Sequence, residues 1–119
     1  MRVLILSGLV LLITCCNRHS CPATAEINKD LFRKHLATIH ESEAGRGKVF
    51  VDDYRAAINF LSLVTGIDSK ADYSSTFGYR NKTDYKSDMK QWQKWYKKNQ
   101  CKLTEQYIDS AFKSVGLER

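Results

Sequence analysis

Residues 88–101 read Asp88-Met89-Lys90-Gln91-Trp92-Gln93-Lys94-Trp95-Tyr96-Lys97-Lys98-Asn99-Gln100-Cys101 and hold both tryptophans of the chain together with four lysines. Extended back to Tyr85, the apolar positions Tyr85, Met89, Trp92 and Tyr96 recur at i, i+4, i+7 and i+11, the period of one helix face. Trp95 flanks that face, while Lys90, Lys94, Lys97 and Lys98 gather on the opposite side. The spacing predicts a helix running from Thr83, as its cap, to Lys98. Trp92, on the inward arc, is expected in the core, because an aromatic side chain buries a large apolar area. Trp95 stands at the margin, where a ring packs with one edge and shows the other. The lysines form a solvated face unless something acidic meets them.

Downstream of Cys101, Thr104 is expected to cap a further helix. Leu103 and Ile108 would staple it, and Tyr107, Ile108, Ala111, Phe112 and Val115 would supply its buried face before Gly116. Upstream, residues 67–82 show no sustained period and include Ser69, Ser74, Ser75, Gly78 and Asn81, which predicts a long loop. Tyr73, Phe77 and Tyr79 lie within it, an aromatic content that argues against disorder. Before the loop, Tyr54, Ala57, Ile58, Leu61 and Val64, widened by Phe60 and Leu63, predict the most buried helix, capped by Asp52 and closed by Gly66. The charged, glycine-rich residues 41–48 link it to a first helix from Ile27 to about His40. Asn28 is the expected cap of that helix, Ile27 and Phe32 its staple, and Leu31, Phe32, Leu36 and Ile39 its apolar arc. No strand-like alternation extends beyond Lys48-Val49-Phe50-Val51. The expected fold class is therefore all-α, a compact bundle of about four helices forming a single domain over residues 27–119.

The chain opens Met1-Arg2 and continues from Val3 to Thr14 with only Ser7 and Gly8 interrupting the large apolar residues. A transmembrane helix needs about 20 apolar residues, so this shorter run after a positive charge has the layout of a secretory signal. Leu12-Ile13-Thr14-Cys15-Cys16 resembles the bacterial lipobox, in which aliphatic and small residues precede a cysteine that is lipidated and becomes the new N-terminus. The resemblance implies a signal over residues 1–15, lipidation of Cys16 with Cys15 as the alternative, and a tether over residues 16–26 that carries Pro22. Cleavage after Ala23-Thr24-Ala25 is the rival, ranked second because residues 17–20 would leave a long polar stretch between apolar run and cut. Lipidation at Cys16 leaves two thiols, Cys21 and Cys101. Outside the reducing cytosol they are a candidate disulfide closing an 80-residue span, worth about 4 kcal/mol by loop-closure entropy. Two separate thiols stand beside that reading, because Cys21 falls in the expected tether.

Removing residues 1–15 from the 119-residue chain leaves 104 residues, enough for one cored domain, and lowers the formal net charge from +6 to +5 with the loss of Arg2. A basic exported domain suits anionic lipid head groups, anionic glycans or acidic protein surfaces, and no nucleic-acid partner is expected in that compartment.

Reactive constellations are sparse. His35, His40, Glu41 and Glu43 contain metal-ligand chemistry, but the i, i+5 offset of the histidines places them roughly 140° apart on a helix, unlike the i, i+4 pair of a zinc motif. His35 reads instead as a core-edge histidine. Gly45-Arg46-Gly47-Lys48 carries part of a phosphate loop without its full spacing, and Asp52-Asp53 is explained by helix capping. No catalytic residues, metal site or cofactor are expected.

Asp53-Tyr54, Phe60-Leu61, Thr65-Gly66, Gly78-Tyr79 and Trp92-x-x-Trp95-Tyr96-x-x-Asn99, taken with the lipobox-like start, resemble a group of small uncharacterised lipoproteins of Bacteroidota-type bacteria over roughly residues 50–103. The resemblance implies a membrane-anchored envelope protein and no transferable activity. The expected function is a non-enzymatic interaction or structural module of the cell envelope, anchored on the periplasmic or outer-membrane face. The alternative is a binding module for anionic glycan or peptidoglycan, with Tyr73, Tyr79, Trp95, Lys90, Lys94 and Lys97 as its candidate ligand surface.

Overall fold

A computed structural model describes residues 20–72 and 78–119. The expected signal, Cys15, Cys16 and Tyr73 lie outside the described residues. Among the described residues four α-helices follow one another: α1 (Ala23–Glu43), α2 (Val51–Thr65), α3 (Lys82–Asn99) and α4 (Glu105–Lys113), with a single 3-10 turn at Gln100–Lys102 between the last two. The fold is all-α. Among the described residues the sole β-type pairing is one antiparallel bridge, Asp72 to Gly78, and no helix is long and apolar enough to cross a membrane.

Helix α1 starts four residues earlier than its apolar spacing predicts. Pro22 holds the N-cap position with φ −51° and ψ 145°, a place where its fixed φ and missing N–H cost nothing. The tether expected over residues 16–26 therefore gives way to helix from Ala23 onward, and Ala25 is already buried. Asn28 is not a cap. It lies inside the helix, 2% exposed, and its Nδ2 donates to the Leu103 carbonyl at 2.9 Å, bracing α1 against the segment before α4. The expected staple is also absent, since Ile27 is 75% exposed while Phe32 is fully buried. At the other end Gly45, with φ +65°, sits one residue beyond the cap Ala44. The Arg46 N–H bonds to Glu41 O and the Gly45 N–H to Ser42 O, which satisfies the last carbonyls in a Schellman arrangement.

Helix α2 buries Tyr54, Ala57, Ile58, Phe60, Leu61 and Val64, more than any other helix, as its wide apolar stripe requires. Phe50, rather than Asp52, takes the N-cap position; Asp52 and Asp53 occupy the first turn, where the helix dipole favours negative charge. Gly66 closes the helix in the left-handed region. Helix α3 begins two residues before Thr83 would cap it, because Asn81 is the cap: its Oδ1 accepts from the Asp84 N–H at 2.8 Å and its Nδ2 donates to Asp84 Oδ2 at 2.9 Å. Helix α4 has Thr104 as its cap, accepting from the Tyr107 N–H, and Leu103 and Ile108 are both fully buried. Val115, expected on its buried face, is 53% exposed because α4 ends at Lys113.

Contacts set the helix directions. Tyr54 bonds to Glu43 while Phe60 packs on His35 and Phe32, so α2 runs antiparallel to α1. Likewise Tyr85 meets His40, Tyr96 meets Arg33, and Cys101 joins Cys21, so α3 also runs antiparallel to α1. The N-terminal end of α1, the C-terminal end of α3 and the start of α4 therefore share one end of the bundle. A disulfide between Cys21 and Cys101, with Cα atoms 4.8 Å apart and a sequence separation of 80, fastens that end.

Candidate interaction surface

The two faces of α3 divide as its periodicity predicts. Trp92 is fully buried, Met89, Trp95 and Tyr96 pack partly against the core, and Lys90, Lys94, Lys97 and Lys98 are exposed. Phe32 receives both neighbouring rings of α3: Trp95 stacks on it at 5.8 Å and 15°, Tyr96 at 5.1 Å and 25°. Tyr107 adds a tilted contact to Trp95 at 6.3 Å. Trp95 is nevertheless half-buried, and with Ile67, Gln91, Lys94, Lys98 and Asn99 it lines an open depression of about 280 Å³. Asn99 is held in place by donating from its Nδ2 to the Trp95 carbonyl at 2.9 Å.

Of the residues expected to form a ligand surface, Trp95 and Lys94 meet at this depression. Lys90 and Lys97 are exposed on the same helix without lining it. Tyr79 lies elsewhere. Its hydroxyl donates to Asp88 Oδ2 at 2.8 Å, and its ring meets Tyr85 edge-on at 5.6 Å. Burial, with Asp88 beside it, raises the Tyr79 hydroxyl well above the usual tyrosine range, so it remains a proton donor.

Asp88 is the polar centre that periodicity alone overlooks. It is 0% exposed, and its Oδ2 accepts from Ser69 Oγ at 2.9 Å, the Lys70 N–H at 2.8 Å and Tyr79 Oη. Three donors drawn from either end of the loop thus converge on one α3 carboxylate, which pins Ser69, Lys70 and Tyr79 to the bundle. The signal was present in the chain: position 88 lies three residues after Tyr85 and four before Trp92, on the apolar arc. A charge there is affordable only with partners. Glu43 plays a similar part nearby, accepting from Tyr54 Oη at 3.1 Å and from the Tyr79 N–H at 3.3 Å.

Among the described residues no group of His, Cys, Asp and Glu side chains is arranged to hold a metal ion. His35 packs against the Phe60 ring at 4.4 Å, and burial, reinforced by the cations Lys34 and Arg119, lowers its pKa to about 4. His40 is held differently. Arg46 Nη2 lies 2.9 Å from its Nε2 and Tyr85 Oη lies 2.7 Å from its Nδ1. A guanidinium can only donate, so Nε2 accepts from Arg46, which leaves Nδ1 to donate to Tyr85 Oη. The three residues clasp the loop after α1 to the first turns of α3. No family model matches the chain, and no curated protein or solved structure matches it either.

Proposed function

We propose that the chain is a lipid-anchored protein of the cell envelope, a non-enzymatic interaction or structural module related to the small lipoproteins it resembles. The observation that carries this reading is the Cys21–Cys101 disulfide, since such bonds persist in oxidising compartments outside the cytosol. Its position adds support. Cys21 follows Cys16 by five residues, so lipidation at Cys16 leaves the bond intact. Cleavage after Ala25 would discard Cys21 and the first turn of α1, including the buried Ala25. The exposed lysines of α3 supply a surface for an acidic partner. Binding of anionic glycan or peptidoglycan is the second reading, favoured by the depression that half-buried Trp95 shares with Lys94 and Lys98.

The test is expression of the full chain in a Gram-negative host fed labelled fatty acid. The wild type is expected to enter the detergent phase and carry label, and Cys15→Ser with Cys16→Ser is expected to lose both. Label that persists in the double variant contradicts the lipid anchor.

A further inference from the structure

The anchor reading fixes one end of the chain at a membrane, and the disulfide determines which part of the bundle follows. Cys21 lies five positions after Cys16, a reach of at most about 18 Å when fully extended. Cys101 lies 4.8 Å from Cys21, Cα to Cα, so the C-terminal end of α3 is carried to the lipid surface along with the start of α1. Lys90, Lys94, Lys97 and Cys101 recur at i, i+4, i+7 and i+11, one stripe that leads down to the disulfide. Lys98 and Lys102 flank its lower part. All five lysines are exposed, and none of them is in an ion pair among the described residues. Carboxylates at this end are largely committed: Glu26 to Lys29, and Glu105 to Arg119. Asp68, exposed after α2, opposes the lysines with one charge.

Resting on the lipid-anchor reading, we propose that Lys94, Lys97, Lys98 and Lys102 lie against the anionic phospholipid head groups of the membrane that holds the anchor. Charge complementarity selects this occupant. Attraction between a basic patch and an anionic bilayer acts within about 8 Å at physiological salt, and the tether keeps the patch close enough for that attraction to draw it onto the surface. An acyl chain and a basic patch together also set the orientation of the domain. Lys82 and Lys86, at the other end of α3, stay clear: Lys82 is about 24 Å from Lys98 along the helix axis.

The experiment uses the acylated full-length protein, purified from the envelope and reconstituted into phosphatidylglycerol–phosphatidylethanolamine vesicles or into phosphatidylcholine vesicles. Amine-reactive labelling read by mass spectrometry gives the rate at each lysine. Lys94, Lys97, Lys98 and Lys102 are expected to react at least about fivefold more slowly on the anionic vesicles, the factor that one lysine at such a surface is worth. Lys82 and Lys86 should be unchanged, and high salt should abolish the protection. Equal rates on both vesicles, or protection that includes Lys82 and Lys86 equally, would overturn the proposal. Protection by soluble peptidoglycan fragments in place of anionic vesicles would overturn it in favour of a glycan site. Failure to recover acylated protein would overturn the anchor reading itself, and the absence of acyl mass distinguishes that result from the others.

Discussion

Replacing Asp88 by Ala should loosen the loop and cost the domain a large part of its stability. Three hydrogen bonds end on Asp88 Oδ2, from Ser69 Oγ, the Lys70 N–H and Tyr79 Oη. Each hydrogen bond to a charged acceptor contributes about 1.5–3 kcal/mol net, and the three are not additive. Ser69 Oγ and Tyr79 Oη already lie 3.3 Å apart and can satisfy each other in part, whereas the Lys70 N–H is left facing the void. We therefore expect Asp88→Ala to lose about 3–5 kcal/mol, once the emptied volume is added to the lost bonds. Asp88→Asn keeps an acceptor of the same shape and should lose only about 1–2 kcal/mol. Native stabilities run to about 5–15 kcal/mol, so the alanine variant should remain measurable while clearly weakened. Urea melts give the magnitude, and hydrogen exchange at the Lys70 amide locates it. A loss below about 1 kcal/mol for Asp88→Ala, or an unchanged exchange rate at Lys70, would refute the role given to this carboxylate.

Three further outcomes are expected. Trp92→Ala should cost about 3–5 kcal/mol in urea melts because the ring is fully buried, and Trp95→Ala clearly less; equal losses would contradict the marginal place of Trp95. Reduction of the Cys21–Cys101 bond should lower the unfolding free energy by about 4 kcal/mol, read from melts with and without reductant, and an unchanged midpoint would contradict its closure of the 80-residue span. The folded pKa of His35, about 4, lies below its unfolded value of 6.5, so its stabilising contribution is complete above pH 6.5 and is lost as pH falls toward 4. His35→Gln should flatten that part of the pH–stability profile, and parallel profiles for the two proteins would contradict the assignment.

The helices themselves were readable because their apolar periods are long and regular. Gly66 and the Thr104 cap with its Leu103–Ile108 staple act within one or two turns, and the structure places them as their spacing predicts. Positions whose role depends on distant partners were not readable. Asn28 has the side chain of a cap, but its donor is drawn to Leu103, 75 residues away, and Pro22 starts the helix in its place. Thr83 and Asn81 are both competent caps, and the choice falls to Asn81 because Asp84 answers it from the third helical position. At the candidate surface, Lys94 and Trp95 are neighbours on one helix and come together as their spacing implies. Tyr79 shares only aromatic character with them; its hydroxyl is taken by the buried carboxylate of Asp88, a residue type usually found on the surface.

A lipid anchor at the head of the disulfide-fastened helical domain is tested most directly by mass spectrometry of the N-terminal tryptic peptide of protein purified from the envelope. The expected species is a peptide Cys16-Asn17-Arg18 carrying acyl mass on the cysteine. An unmodified N-terminus, or one that begins at Glu26 after cleavage behind Ala25, would contradict it.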